Sequence, residues 1–202
     1  MLAATSVAVL FGGLAIGVAL GGVMPLPYGS VAAIHAYVQT QSSALRVIAV
    51  TAFGSSVPLA VYAAMASARL RRLGVESAAP TVALAGGILA AGALGLTGLL
   101  GWTLSRMEIT GDIPLVRSLY LMAFLVGGPG HIVALGVLLG GIAAGGLVPR
   151  PLARVGVAVA ALCESATLVL AWPVLGPMLP VARVSALVWL VVAGARLDRD
   201  PT

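Results

Sequence analysis

No Arg, Lys, Asp or Glu occurs before Arg46, and residues 47–68, 77–105 and 118–149 also lack all four. Runs of this length and apolarity read as spans of a bilayer core about 30 Å thick. The chain is 60% hydrophobic and only 8% charged. A soluble surface needs roughly 25% charged residues, so this chain cannot make one. The fold class expected is all-α, a six-helix transmembrane bundle forming a single integral membrane domain over residues 1–202.

The spans are expected at about Ala3–Met24, Leu45–Ala68, Pro80–Leu104, Val116–Val148, Leu152–Trp172 and Val181–Ala195. Pro25, Pro27 and Gly29 end the first. Residues 30–43 mix His35, Tyr37, Gln39, Thr40 and Gln41 with apolar positions, which suggests a short interfacial stretch. The first span reads as retained, because no basic residue precedes it, it exceeds a signal-peptide core, and no clear cleavage site follows. The fourth segment is longer than one straight span requires. Its Gly127-Gly128-Pro129-Gly130 predicts a bend, since proline removes a helical hydrogen bond and glycine relaxes the backbone. A bend there would free carbonyls near Leu125 and Val126 that His131 could satisfy.

All eleven basic residues are arginines, grouped at the ends of the apolar runs. With both termini cytoplasmic, Arg69, Arg71, Arg72, Arg150, Arg154, Arg196 and Arg199 lie inside, against Arg46, Arg106, Arg117 and Arg183 toward the outside. That bias satisfies the positive-inside rule and places the chain in the cell membrane as a multi-pass protein. The lack of lysine, with abundant Ala, Gly, Val and Leu, suggests a G+C-rich bacterial genome. A formal charge of +5 does not imply nucleic acid, because no basic stripe with hydrogen-bonding or aromatic companions exists. Cys163 is the sole cysteine and can form no internal disulfide.

An internal echo relates spans 2–3 to spans 4–5. Arg46, Ala52, Phe53 and Pro58 recur as Arg117, Ala123, Phe124 and Pro129 at one offset of 71 residues, and Leu73-Gly74-Val75 is echoed by Val155-Gly156-Val157. Both copies run inward from the same side, so the duplication would be parallel. Gly13, Gly17 and Gly21 form a small-residue stripe, as do Gly136 with Gly140 and Gly141 with Gly145. Such stripes let helices approach closely in lipid. Packing within the chain is their main expected use; a homo-oligomer or membrane partner at Gly13, Gly17 and Gly21 is the alternative.

Few polar residues could carry chemistry. Glu164 lies in the middle of the fifth span, where a charge costs at least ~2.5–3.5 kcal/mol. Counted from the cytoplasmic boundaries, Glu164 and Arg183 share one depth, which predicts a contact between them, either as a functional pair or as a staple locking two helices. His131 follows the glycine-proline break and is the third candidate for a ligand or proton pathway. A haem between His35 and His131 would need both rings at one depth, which the spans do not give, so no cofactor is expected. No metal, phosphate-loop or nucleophilic motif exists. An enzyme is therefore the less favoured reading. Ser55 and Ser56 are expected to cap backbone freed by Pro58, and Trp102, Trp172 and Trp189 to serve as interfacial or packing aromatics.

Several segments carry a resemblance. They are Ser56-Val57-Pro58-Leu59, Arg69-Leu70-Arg71-Arg72-Leu73-Gly74, and Gly127-Gly128-Pro129-Gly130-His131 with Leu138-Leu139-Gly140-Gly141. Glu164-Ser165-Ala166-Thr167-Leu168, Leu179-Pro180-Val181-Ala182-Arg183 and Val188-Trp189-Leu190 complete the set. Together the chain resembles a family of small bacterial six-helix integral membrane proteins, a domain of unknown function. The resemblance implies a fold and a membrane location and supplies no activity. Two functions stay open: binding or transport of a small molecule or protons near Glu164, Arg183 and His131, or an accessory membrane subunit.

Overall fold

A computed structural model describes residues 1–146 and 148–197; Arg199, counted above among the cytoplasmic arginines, lies outside the described residues. Every regular element in that range is helical. The order is α1 (Leu2–Gly21), α2 (Val31–Thr40), α3 (Ser42–Arg72), α4 (Ala79–Leu104), α5 (Ile113–Leu125), a π-helical turn (Val126–Gly130), α6 (His131–Ala144), α7 (Arg150–Glu164), a 3-10 turn (Ser165–Leu170) and α8 (Met178–Leu197). Among the described residues six stretches are long and apolar enough to cross a membrane: α1, α3, α4, α5 through α6, α7 with its 3-10 extension, and α8. This is a multi-pass membrane protein. Its outward faces agree, for Val155, Val157, Val181, Val184 and Val188 are all exposed, a surface suited to lipid and not to water.

Glycine decides how the helices pack. On α4, a Cβ at Gly86 would run into the backbone of Leu138 on α6, and one at Gly87 into Ala63 on α3. A Cβ at Gly141 on α6 would strike the backbone of Ala83 on α4. Without those side chains the backbones of α3, α4 and α6 come into direct contact, the arrangement that dispersion favours where lipid tails are as apolar as the protein. Leu59, Leu94, Leu135 and Leu138 fill the space beside these contacts and are almost wholly buried.

The stripe on α1 is engaged in the same way. Gly13, Gly17 and Gly21 face Thr51, Ile48 and Ala44 of α3. That face packs inside the chain and is not free for a partner, which corrects the oligomer alternative. The two stripes on α6 face different neighbours: Gly136 meets α7, Gly141 meets α4 and Gly145 meets Leu70 of α3.

A second, smaller core forms at the end of the bundle where α2 lies. Ile34, Tyr37 and Val38 of α2 pack with Leu45, Leu104, Val116 and Tyr120. Its ties are polar: the His35 ring is 2.7 Å from the Thr110 carbonyl through Nε2, and the Tyr120 hydroxyl donates to the Pro25 carbonyl at 2.6 Å. Asp112 starts α5 by accepting from the Leu115 N–H, as an N-cap does. Burial pushes the Tyr37 phenol above its ordinary range.

At the opposite end, α3 stops at Arg72 and α6 at Ala144. Gly74 and Gly146 follow with φ of 76° and 71°, a left-handed conformation in which any other side chain is strained. Trp189 is buried and lies over Gly156, donating through Nε1 to the Leu152 carbonyl at 2.9 Å, whereas Trp102 and Trp172 are exposed. The tryptophans thus divide into one packing residue and two on the surface.

Candidate functional site: a buried arginine and histidine at a π-helical turn

The long segment Ile113–Ala144 is not a regular α-helix. Pro129 has no N–H for the Leu125 carbonyl, and its ring crowds that turn. The three glycines around it offer no Cβ resistance, and the backbone widens into a π turn over Val126–Gly130. Gly127 also lets the turn lie against α4, since a Cβ there would come within 2.7 Å of the Thr97 side chain.

Two titratable side chains converge on this turn. His131 opens α6 and is fully buried. Its Nδ1 lies 2.9 Å from the Ala90 carbonyl of α4. A carbonyl only accepts, so Nδ1 carries the proton and Nε2 of the neutral ring is an acceptor. That Nε2 is enclosed and has no partner. Arg183, in the second turn of α8, donates through Nη2 to the Gly127 carbonyl. Its Nε is likewise enclosed without a partner, and the Gly127 carbonyl that Arg183 serves lies four residues before His131. The expectation that His131 would satisfy a carbonyl freed near Leu125 or Val126 is therefore corrected. Arg183 reaches the turn, at Gly127, while His131 turns to α4.

Glu164 stands apart. No ion pair or hydrogen bond joins it to Arg183. The two positions lie level on neighbouring helices, since Cys163 Sγ lies 3.7 Å from the Ala182 carbonyl and the preceding residues of each helix touch. An α-helix turns about 100° per residue, so the next residue on each helix faces elsewhere. Arg183 swings to the π turn. Glu164 swings to the exposed side of α7, over Gly136 of α6, where a Cβ would come within 2.8 Å of Oε1. Beyond Glu164 the helix tightens to 3-10, helped by Ser165 and Thr167, whose hydroxyls donate to carbonyls three residues back.

The proline on α3 behaves differently. Ser55 and Ser56 donate to the Ala52 and Phe53 carbonyls, three residues back, and not to the Gly54 carbonyl that Pro58 leaves free. Instead Ser6 of α1 reaches across and donates to the Ser55 carbonyl at 2.8 Å. Among the described residues no three His, Cys, Asp or Glu side chains group as metal ligands. Family models, curated proteins and solved structures were compared with this chain, and none matches.

Proposed function

We propose that this chain binds a small anionic solute inside the membrane, at Arg183 and His131. One observation carries the reading: the Arg183 guanidinium is met by a main-chain carbonyl and by no carboxylate, and its Nε has no partner. A cation at bilayer depth is costly, and a single carbonyl supplies a dipole where a counter-charge is needed. A carboxylate or phosphate would supply that charge, and the acceptor Nε2 of His131 would take a hydroxyl or N–H of the same solute. Anion binding displaces the expected Glu164–Arg183 pathway as the favoured form of a transport or binding role.

The test is thermal unfolding of the purified protein in detergent, with sodium salts of acetate, malonate, phosphate and chloride at constant ionic strength. A midpoint that rises with the logarithm of concentration is expected for one anion class, worth about 2.7 kcal/mol at a hundredfold excess over Kd. Arg183→Met should lose that rise. If the variant responds as the parent does, the reading fails.

A structural reading is favoured by a separate observation. Both side chains hold main-chain carbonyls of other helices, Ala90 and Gly127, and so act as braces. An accessory subunit would show a destabilised Arg183→Met with no anion response in either protein.

We place the α2 end outside and both termini in the cytoplasm, because Arg69, Arg71, Arg72, Arg150 and Arg154 lie at the other end. Reporter fusions at Val75 and Asp112 should report opposite sides. We also infer a parallel duplication of α3–α4 in α5 through α7. It is supported by helix starts at Ser42 and Ile113, and at Ala79 and Arg150, each 71 residues apart, and by Pro80 and Pro151 at the same offset. At that offset Gly74 falls one residue short of Gly146 and far from Gly156, and Gly74 and Gly146 share a left-handed conformation, which supports pairing those two turns. Membership of the bacterial six-helix family stays a proposal with it.

A further inference from the structure

A groove of about 520 Å³ runs between α3 and α4 on the surface facing lipid, with Phe53, Val57 and Val61 on one wall and Gly92, Leu96 and Leu99 on the other. A second hollow of about 340 Å³ continues it past Val50 to Trp102. The lining is apolar, and the one hydroxyl in it, that of Ser56, is bonded to the Phe53 carbonyl. Glycine makes the groove: a Cβ at Gly92 would meet nothing within 4 Å.

The end of the groove toward α2 is positively charged. Gly101 faces Ala49, and Gly87 faces Ala63, an antiparallel register that carries Arg46 to the level of Leu104, within a turn of Arg106. Arg46 lies one turn before Ala49 and Val50 on the groove's own stripe. It is exposed, and no ion pair or hydrogen bond to it is found among the described residues. The Arg106 guanidinium stacks on Trp102, 5.2 Å from the ring centre, and pairs with Glu108. Hydrogen bonds from its own backbone N–H and from Arg106 hold the Glu108 carboxyl below its usual range. On the orientation proposed above, both arginines lie on the side that the positive-inside rule leaves poor in positive charge.

We propose that this groove binds one phospholipid of the leaflet at the α2 end, with an acyl chain along α3 and α4 and the phosphate at Arg46 and Arg106. From Arg46 to Val61 the helix rises about 22 Å, enough to carry a chain from headgroup depth past the middle of a core about 30 Å thick. Guanidinium groups match phosphate in charge and in hydrogen-bonding geometry, and Trp102 sits where interfacial aromatics sit. The site is separate from Arg183 and His131 and does not depend on the anion reading.

The experiment is native mass spectrometry of the full chain in detergent, titrated with a palmitoyl-oleoyl phosphatidylglycerol, with the matching diacylglycerol, and with inorganic phosphate as competitor. One phosphatidylglycerol per chain is expected to stay bound, and diacylglycerol to bind about tenfold more weakly for want of the phosphate contacts. Gly92→Leu, which fills the groove where space is open, should abolish retention with the thermal midpoint kept. Leu96→Trp, on the exposed wall, should do the same and serves if the first variant does not fold. Arg46→Gln with Arg106→Gln should weaken binding about tenfold or more. Retention unchanged in a folded groove-filling variant overturns the proposal. So does equal binding of diacylglycerol, or displacement by millimolar inorganic phosphate, which would make it a site for free anions.

Discussion

Pro58 and Pro129 each interrupt the bonding of a long membrane helix, and the two interruptions are resolved in different ways. Around Pro58 the helix stays α through Arg72, its serines bonded back to Ala52 and Phe53. Around Pro129 three glycines let the backbone open into a π turn. In both places a side chain from a distant helix takes a nearby carbonyl: the Ser6 hydroxyl at Ser55, and the Arg183 guanidinium at Gly127. The first is a neutral brace between α1 and α3. The second brings a charge into the bundle beside His131. In each case the carbonyl taken lies one or two residues from the one that the proline frees, and the residue that takes it determines whether the result is only packing or a site.

That contrast can be broken most severely at Gly127. A Cβ there would press on Thr97 of α4, so Gly127→Ala should cost about 3 kcal/mol, the upper part of the overpacking range. The equivalent space beside Pro58 is more open. The Cβ at Gly54 would meet only Val9, at 3.9 Å, and Gly54→Ala should be close to neutral in the same denaturation assay.

A second, smaller effect is expected at the donors. Arg183→Met removes a charged donor from the Gly127 carbonyl and should destabilise by about 2 kcal/mol. Reversible unfolding in mixed micelles would measure it. A neutral or stabilising result would mean that the carbonyl contact does not brace the turn; the anion response, and not this loss, separates a ligand site from a brace.

The smallest effect belongs to Ser6→Ala, which removes one neutral hydrogen bond to the Ser55 carbonyl and should cost about 1 kcal/mol. If Ser6→Ala costs as much as Arg183→Met, the two turns do not differ in the way proposed here, and the charge at Arg183 adds nothing to the brace.

Much of the molecule was legible in one dimension. Long charge-free runs and the terms of lipid solvation required six apolar helices, and their boundaries fall within a few residues of those read from the chain. The break at Gly127–Gly130 was legible because proline and glycine act locally on backbone bonding. The shared depth of Glu164 and Arg183 was legible because helical rise is constant. Which way those side chains point was not. Direction around a helix accumulates at about 100° per residue, and a shift of one position turns a partner into a stranger. Cys163 meets Ala182, and the next residues diverge. The same limit hid the neighbours of the glycine stripes, which the spacing marks as close-approach faces without saying whose backbone approaches. The spans, the proline break and the shared level of Glu164 and Arg183 were therefore determined by the sequence alone, through rise, solvation and local bonding. Only the packing of α4 against α6 and of α8 against the π turn decided that Arg183 would meet Gly127 near His131, and that Glu164 would face outward, because azimuth is settled by contacts between helices distant in the chain.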